Sequence, residues 1–368
     1  MHLVVGAISL ALIALLLAAF FVTFLLPRRV KRDPRIARRV FGALWWPWRA
    51  IATRVPPIAS DTMLGLFGPL GLLAILGALS VGVILGFSGL HWANGSHFGT
   101  GAGPAATFGG DLYFSAGAFF SASTAAPADG LGKAMQVAEA ATGFGFLAIA
   151  IGYLPALFQA FSRRETSVSR LDPRAGSPPT AGALLSRSGA RGGWAELDEY
   201  LREWESWMAE LMETHLSYPI LAYYRSQHVN QNWLAALTTV VDSCAYAMAF
   251  GPHEALEASE LTFAIGRHAL ADLAHTVVRQ RRPASDEDRA ERLSDQSLAE
   301  LRSQLEGSGL HAEHTEQATA RLAELRAGYE PNAILLSEWL ALPLPGWLPG
   351  DNVREYWRTS HRQSEPLP

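Results

Sequence analysis

Cysteine and charge are both scarce in this sequence, and each scarcity excludes a class of structure. The chain has 368 residues but a single cysteine, Cys244, so it has no internal disulfide and no CxxC pair for a zinc site. We interpret Cys244 as a small buried apolar side chain. Only 17% of the residues are charged and 49% are hydrophobic, against about 25% charged in an ordinary soluble chain. We therefore expect part of the protein to lie in lipid.

Catalytic motifs are missing as well. The sequence contains no HExxH, P-loop, GxSxG or CxxC motif, so we expect neither enzyme activity nor a cofactor. A membrane-tethered metal-dependent enzyme stays open as an alternative, because several His and Asp residues fall on one face or on neighbouring helical patterns. These residues are His268, Asp272 and His275 on one face, and His215, His228 and Asp242 on neighbouring helices. The more ordinary interpretation is that such histidines are hydrogen-bonded within a helical core.

Charge is distributed unevenly along the chain. Residues 1–192 carry 16 Lys/Arg and 7 Asp/Glu (+9), whereas residues 193–368 carry 14 Lys/Arg and 27 Asp/Glu (−13), which gives the net charge of −4. A basic, apolar half followed by an acidic half indicates a membrane domain joined to a cytosolic domain. The acidic half lacks the basic patch of a nucleic-acid-binding protein, so no nucleic-acid partner is expected.

Three uncharged or nearly uncharged stretches, 3–26, 63–87 and 134–161, are long enough to cross the roughly 30 Å hydrocarbon core. Nine Lys/Arg and one acid lie between residues 28 and 54, so the positive-inside rule places this segment in the cytoplasm. We expect a multi-pass protein of the cell (inner) membrane, with its N-terminus outside and its C-terminal domain cytoplasmic. A cleaved signal peptide is the alternative for 3–26, but no basic residue precedes this stretch and its apolar core exceeds ~15 residues.

The basic segment 28–62 contains three tryptophans, Trp45, Trp46 and Trp48. Arginine and tryptophan together are typical of a helix at the level of the lipid headgroups. An ordinary juxtamembrane linker is the alternative interpretation.

A shorter helical pattern lies between the second and third apolar stretches. Residues 111–133 (DLYFSAGAFFSASTAAPADGLGK) are too short and too polar to cross the membrane twice. We expect Asp111 to be the N-cap of a helix of about ten residues. A half-helix whose C-terminal dipole points toward the membrane midplane favours a cation in a pore, and the non-helical residues after it would line a cavity.

A known family has the same order of elements, which is a span, a half-helix, a loop and a second span. The residues themselves support the similarity. YFSAGAFFSAS resembles the pore helix and filter start of bacterial potassium channels, and GLGKAMQVAEAATGFGFLAIAIGYLPALFQAFSRRE resembles their inner helix. The similarity to this two-transmembrane, one-pore-loop channel domain covers about residues 63–165. It implies an all-α membrane fold with an N-terminal transmembrane helix, an outer helix, a pore half-helix and an inner helix. It also implies a homotetramer in a lipid bilayer that acts on monovalent ions.

The sequence departs from the family at the selectivity filter. Ser121, Ala122, Ser123 and Thr124 stand where the family has Gly-Tyr-Gly-Asp. Glycine allows the alternating backbone of that filter, whereas an L-residue in the left-handed region costs ~1–2 kcal/mol. We therefore expect a wider, weakly selective pore or a closed one, not a standard potassium filter.

Further candidate pore residues are two carboxylates after the filter positions and a set of glycines and a proline in the third span. We expect Asp129 and Glu139 near the outer mouth, where they either attract ions or act as solvated or helix-starting carboxylates. A gating hinge in the third span is expected at Gly143, Gly145, Gly152 and Pro155, with close packing and an ordinary kink as the alternative.

The second half has helical patterns throughout. We divide the whole chain into 1–27 (N-terminal transmembrane helix), 28–62 (basic segment), 63–165 (pore domain), 166–193 (linker), 194–345 (all-helical acidic cytosolic domain) and 346–368 (tail). Arg163, Arg164, Arg170 and Arg174 would contact an anionic leaflet or simply orient the chain. The apolar run 233–250 would be a buried bundle helix and not a fourth span, because Asp242 lies at its centre.

A cluster of polar and aromatic residues in HLSYPILAYYRSQH provides candidates for a cytosolic ligand site. These are His215, Tyr218, Arg225 and His228, for which core packing is the alternative. The leading hypothesis is an ion-channel-like membrane protein gated by its cytosolic helices. A non-conducting membrane sensor or scaffold built on the same fold is the first alternative.

Overall fold

A computed structural model describes residues 1–25, 36–95, 107–122, 125–227, 230–252, 257–278, 292–312 and 315–350, with the side chains of 36–40 outside the description. Every regular element in these ranges is helical. The chain divides into two compact units, Met1–Phe158 and Gln159–Pro368. The helices are α1 (His2–Phe24), α2 (Ile36–Ala52), α3 (Pro57–Ala93), α4 (Phe108–Phe119), α5 (Gly130–Ala175), α6 (Ala181–Ser217), a 3-10 turn (Pro219–Tyr223), α7 (Trp233–Phe250), α8 (Glu257–Val277), α9 (Asp295–Glu306), α10 (Glu316–Ala327) and α11 (Glu330–Leu340).

Four of these helices, α1, α3, α5 and α7, are long and apolar enough to cross a membrane. Their burial within the protein separates α7 from the others. In α7, 89% of the most apolar 18-residue segment is buried, against 22% in α1 and 17% in α5. A helix buried on all sides by its own chain has no face left for lipid. This burial supports the interpretation of α7 as the central helix of a bundle in the second unit.

Helices α1 and α3 pack closely and antiparallel in the first unit. A Cβ built on Gly82 would lie 2.7 Å from Leu16, and one on Gly86 would lie 2.5 Å from Ile13. These glycines therefore allow the two helices to approach each other, as small residues do between membrane helices.

The register of this pair shows which part of α3 lies beside α1. Leu16 lies opposite Gly82, so the eight positions from Leu16 to Phe24 reach the level of about residue 74 of α3. The part of α3 beside α1 is thus about 74–93. The apolar run of α3 is longer than one membrane crossing, so composition alone does not fix which part lies beside α1.

Helix α2 packs along the remaining, N-terminal part of α3. The Trp48 indole donates a hydrogen bond to the Met63 carbonyl at 2.9 Å, and Trp45 meets the ring of Phe67 with centroids 4.6 Å apart. Trp46 points away and is 71% exposed. The basic segment therefore contains a helix, and its tryptophans divide between the contact with α3 and the exposed surface.

The expected linker 166–193 is largely helical. Residues up to Ala175 continue α5, and α6 begins at Ala181 after its N-cap, Thr180. Only Gly193, with φ of 72°, breaks the helical backbone inside α6. The Pro, Gly and Ser content suggested a linker, but Leu184 and Leu185 are fully buried and anchor this segment in the second unit.

The second unit is a helical bundle around α7. Its C-terminal part includes α11, which the sequence patterns did not predict, and Trp347 from the expected tail. Trp347 is 1% exposed and its carbonyl accepts a hydrogen bond from the Gly182 amide at 2.8 Å. The bundle therefore extends beyond residue 345.

Candidate functional site

The short helix α4 is the element on which the candidate site is built. It begins at Phe108, and the Thr107 hydroxyl accepts a hydrogen bond from the Gly110 amide at 3.1 Å. Thr107 is therefore the N-cap, and the prediction that Asp111 fills this role is wrong. Asp111 lies one turn inside the helix, and its side chain is buried. It shares the buried face of α4 with Ser115, four residues later.

The C-terminal end of α4 is closed by two backbone hydrogen bonds around Ser121. The Ser121 amide donates to the Ala118 carbonyl at 3.0 Å, and the Ala122 amide donates to the Gly117 carbonyl at 2.7 Å. Ser121 has φ of 55°, so this is the left-handed termination known as a Schellman motif. The first filter position thus takes a glycine-like conformation with a serine, at a cost of ~1–2 kcal/mol.

The loop after α4 is tied to α5. Ser123 and Thr124, the last two filter positions, lie outside the described residues. The Gln136 side-chain amide of α5 donates a hydrogen bond to the Ala125 carbonyl at 3.2 Å. One carbonyl of the loop is therefore held by a side chain of α5.

Asp129 sits where α5 begins. Its carboxylate accepts hydrogen bonds from the Gly132 amide and from the Asn94 side-chain amide, both at 3.0 Å. This is the helix-starting alternative for Asp129, with the added contact to the end of α3.

Glu139, the second expected mouth residue, is buried between helices. Its side chain is 0% exposed, and Oε2 lies 3.7 Å from Nε2 of His91 in α3, which is 3% exposed. Ser115 of α4 lies beside the same carboxyl group. Glu139 therefore faces protein and not the outer solution. His91 stands in the sequence as an isolated histidine near the end of an apolar run, and nothing there links it to a residue 48 positions later.

The glycines of the expected hinge have different surroundings. Helix α5 runs without interruption through Pro155. A Cβ on Gly143 would collide with the Phe119 carbonyl at the end of α4, whereas Gly145 and Gly152 have open space around them. Gly143 is thus a close-packing position, and Gly145 and Gly152 are free of that constraint.

The four arginines expected near a lipid surface instead pair with acids. Arg163, Arg170 and Arg174 lie 2.5 to 3.1 Å from Glu210, Glu203 and Glu196 of α6. Arg164 is buried, and it donates hydrogen bonds to the carbonyls of Leu221 and Tyr224 at 2.9 and 2.8 Å. The acidic face of α6 therefore accounts for much of the basic charge at the end of α5.

The expected cytosolic ligand residues that lie in the described ranges each have partners in the second unit. His215 is buried, with Nε2 3.3 Å from the Arg164 guanidinium and Nδ1 2.8 Å from the Leu211 carbonyl. Arg225 donates to the Ala341 carbonyl at the end of α11. Tyr218 caps α6, and His228 lies outside the described residues. The contacts of His215, Tyr218 and Arg225 correspond to the core-packing alternative.

The environment of His215 predicts a pH dependence of stability. Burial and the adjacent Arg164 lower the pKa of His215 from 6.5 to about 3. Between about pH 6.5 and 3 the unfolded chain binds a proton that the folded chain does not, so stability falls as pH falls through this window. We expect His215→Gln to reduce the loss of thermal stability between pH 7 and pH 5. His268→Gln, at a 62% exposed position, is the control and should leave that loss unchanged.

The metal-site alternative has little support within the described ranges. No group of three His, Cys, Asp or Glu residues there is arranged to hold a metal ion. His268 and Asp272 are 3.9 Å apart on the exposed side of α8, while Asp242 is held by Arg292 and by Tyr329. A cavity of about 410 Å³ opens between Phe263 of α8 and Leu325 of α10, and none of His268, Asp272 and Asp242 lines it.

Comparison of the chain with protein-family models, curated proteins and solved structures finds no match. In its described residues the chain is all-helical, with membrane-length apolar helices and a short, half-buried, capped helix between two of them.

Proposed function

We propose that this chain is an ion-channel-like membrane protein of the potassium-channel family that mediates or regulates ion transport. The observation that carries the proposal is α4, a capped helix of 12 residues between two membrane-length helices, which ends in a sharp reversal at Ser121. At about 18 Å this helix is too short to cross the roughly 30 Å hydrocarbon core. Its C-terminal carbonyls carry the negative end of the helix dipole, which favours a cation nearby.

The exposed apolar side of α5 supports assembly into a homotetramer around a pore. Val137, Phe144 and Ile151 are seven residues apart and each is more than half exposed, so they form one stripe. Such a stripe needs lipid or other copies of the chain to cover it. In the proposed tetramer, α5 is the inner helix and α3 the outer helix.

The filter positions support weak selectivity. Ser121 already occupies a left-handed conformation as part of the α4 termination, and the Ala125 carbonyl accepts from Gln136. The substituted loop therefore lacks a run of glycine-supported carbonyls for a dehydrated potassium ion. Monovalent cations in a partly hydrated state are the proposed substrate.

Control by the second unit is the proposed gating mechanism, with the N-terminus outside and the second unit in the cytoplasm. The helix α5 continues to Ala175, and Arg164 near its end binds the 3-10 turn through two carbonyls. A movement of this turn would thus act directly on the helix that lines the pore.

A non-conducting sensor or scaffold is the second candidate function. The hydrogen bond from Gln136 to the Ala125 carbonyl favours it, because a loop fixed to α5 can close a pore as well as line one. A chain of this kind would keep the tetrameric fold and use the second unit to bind partners.

Ion flux through purified protein in liposomes tests the proposal. Vesicles are loaded in turn with potassium, sodium and chloride salts, and wild type is compared with the variant Ser121→Gly/Ala122→Tyr/Ser123→Gly/Thr124→Asp. We expect cation flux with little selectivity in wild type and potassium-selective flux in the variant, since glycine at residues 121 and 123 can adopt the left-handed backbone of a potassium filter, which costs an L-residue ~1–2 kcal/mol.

Other outcomes separate the candidates. Selective potassium flux through wild type would contradict the strain argument. Absence of flux in wild type, with potassium flux in the variant, would favour the sensor or scaffold. Absence of flux in both, from folded and assembled protein, would refute the channel proposal.

A further inference from the structure

The cavity between α8 and α10 in the second unit is lined by one face of each helix. The lining residues of α8 are spaced at i, i+3, i+4 and i+7, and the same spacing recurs on α10. Each set spans seven helical steps, or about 10 Å. The two faces thus form the walls of a cleft of about 410 Å³, a volume typical of small-molecule sites. The wall residues are Glu260, Phe263, Ala264 and Arg267 of α8, and Arg321, Glu324, Leu325 and Gly328 of α10.

The floor of the cleft is apolar. Met248 of α7 lines it together with Phe263 and Leu325, which are 5% and 7% exposed. Ala264, at the exposed edge of the same wall, has only a methyl group and leaves this floor open to a ligand. An apolar group that enters the cleft would therefore leave water and contact these side chains.

The two ends of the cleft carry opposite charge. A Cβ built on Gly328 would lie 3.5 Å from Cδ of Arg267, so these two residues lie together at one end. Glu260 and Arg321 precede them by seven residues in their helices, which places both toward the other end. Arg321 pairs there with Glu324 at 2.7 Å. The first end thus has one positive charge, and the second has one net negative charge.

The two unbalanced charges are open to a ligand. Among the described residues, neither Arg267 nor Glu260 has an ion-pair partner, and both side chains are exposed. Glu260 lies in the first turn of α8, where a negative charge suits the helix dipole. The cleft therefore presents a cation and an anion about 10 Å apart, with apolar side chains between them.

We propose that this cleft binds a short apolar peptide with free termini, whose carboxylate pairs with Arg267 and whose ammonium group pairs with Glu260. An extended residue spans about 3.3–3.6 Å, so three residues match the separation of the two charges. A central apolar side chain of the peptide then contacts Phe263 and Leu325. The site goes beyond the proposed channel function and does not depend on ion conduction.

Isothermal titration calorimetry of the full chain in nanodiscs with the tripeptide Ala-Leu-Ala tests the site, with empty nanodiscs titrated in parallel. We expect wild type to bind the peptide, and to bind its C-terminal amide about fivefold more weakly, as for the loss of one exposed ion pair. Arg267→Gln should bind acid and amide equally, at the affinity of wild type for the amide. The N-acetylated peptide and Glu260→Gln should show the same relation at the other end.

The chain offers controls for charge and for space. Arg170→Gln removes an exposed arginine that does not line the cleft, so it should change none of these affinities. Ala264→Trp fills the cleft from an exposed position and should abolish binding of every peptide. Unchanged helical circular dichroism would show that the variants are folded.

Four results would overturn the proposal. They are absence of binding to wild type, equal affinity of wild type for acid and amide, an Arg267→Gln variant that still distinguishes acid from amide, and binding retained in Ala264→Trp.

Discussion

Asp242→Leu is expected to lower the free energy of unfolding of the second unit by about 3–5 kcal/mol, the usual effect of removing one partner from a buried ion pair. Asp242 is 1% exposed and accepts hydrogen bonds from Arg292 at 2.6 Å and from the Tyr329 hydroxyl at 2.5 Å. Arg292 also pairs with Glu330, which in turn pairs with Arg326. Two arginines and two carboxylates balance in this cluster, so the leucine variant leaves one positive charge uncompensated.

The tyrosine of the cluster remains a donor across the whole working range of pH. Burial, and then the neighbouring Asp242, raise the pKa of Tyr329 well above its usual value of 10. Its hydroxyl therefore keeps its proton and continues to donate to Asp242. In the leucine variant this hydroxyl is also left without its acceptor, which adds to the loss.

Thermal and denaturant unfolding of the full chain in detergent, followed by tryptophan fluorescence, measures this effect. Arg170→Met is the matched control, because Arg170 and Glu203 form an ion pair with both side chains more than half exposed. Such surface pairs contribute about 0–1 kcal/mol. If Asp242→Leu lowers the free energy of unfolding by no more than that amount, water reaches the cluster.

Gly143→Val is expected to produce the second large effect, on the contact between α5 and the end of α4. A Cβ at residue 143 would collide with the Phe119 carbonyl, and a backbone atom cannot rotate away as a side chain can. Overpacking costs about 1–3 kcal/mol even where side chains adjust. We therefore expect a lower unfolding temperature and loss of any ion flux that the wild type shows.

Gly145→Ala and Gly152→Ala are the controls for this prediction. Both positions have open space and lie within the uninterrupted helix α5, so alanine should stabilise the helix by about 0.5–1 kcal/mol. Gly143→Val protein as stable as Gly145→Ala protein would contradict the packing argument. Loss of channel opening in Gly152→Ala, with stability retained, would instead identify residue 152 as a hinge.

The helical class of the fold and the position of the short helix α4 follow from the sequence. Apolar length predicts α1 and α3, and Asp242 at the centre of 233–250 favours a buried bundle helix, an interpretation that the 89% burial of α7 supports. The cap of α4 was misassigned because Thr107 and Asp111 are both suitable N-cap residues four positions apart. Only the packing of Asp111 against the interior distinguishes them.

Contacts between segments that are distant along the chain could not be predicted from the sequence. The pairing of His91 with Glu139, and that of Arg164 with the 3-10 turn, depend on which helix faces meet. The composition of 166–193 predicts a linker, whereas the burial of Leu184 and Leu185 determines its structure. Local patterns indicate that a helix exists, but its neighbours are set by packing over the whole unit.

The unequal lengths of α1 and α3 have a consequence for bilayer thickness. Helix α1 has 23 residues and α3 has 37, or about 35 and 55 Å. In the proposed membrane arrangement, a change of lipid chain length produces hydrophobic mismatch at the end of α1, while α3 still extends past the hydrocarbon on the side of α2. In a thicker bilayer, more of the α2–α3 hairpin and its exposed Trp46 moves from water into acyl chains. The fluorescence of Trp46 would thus report the thickness of the bilayer around the protein.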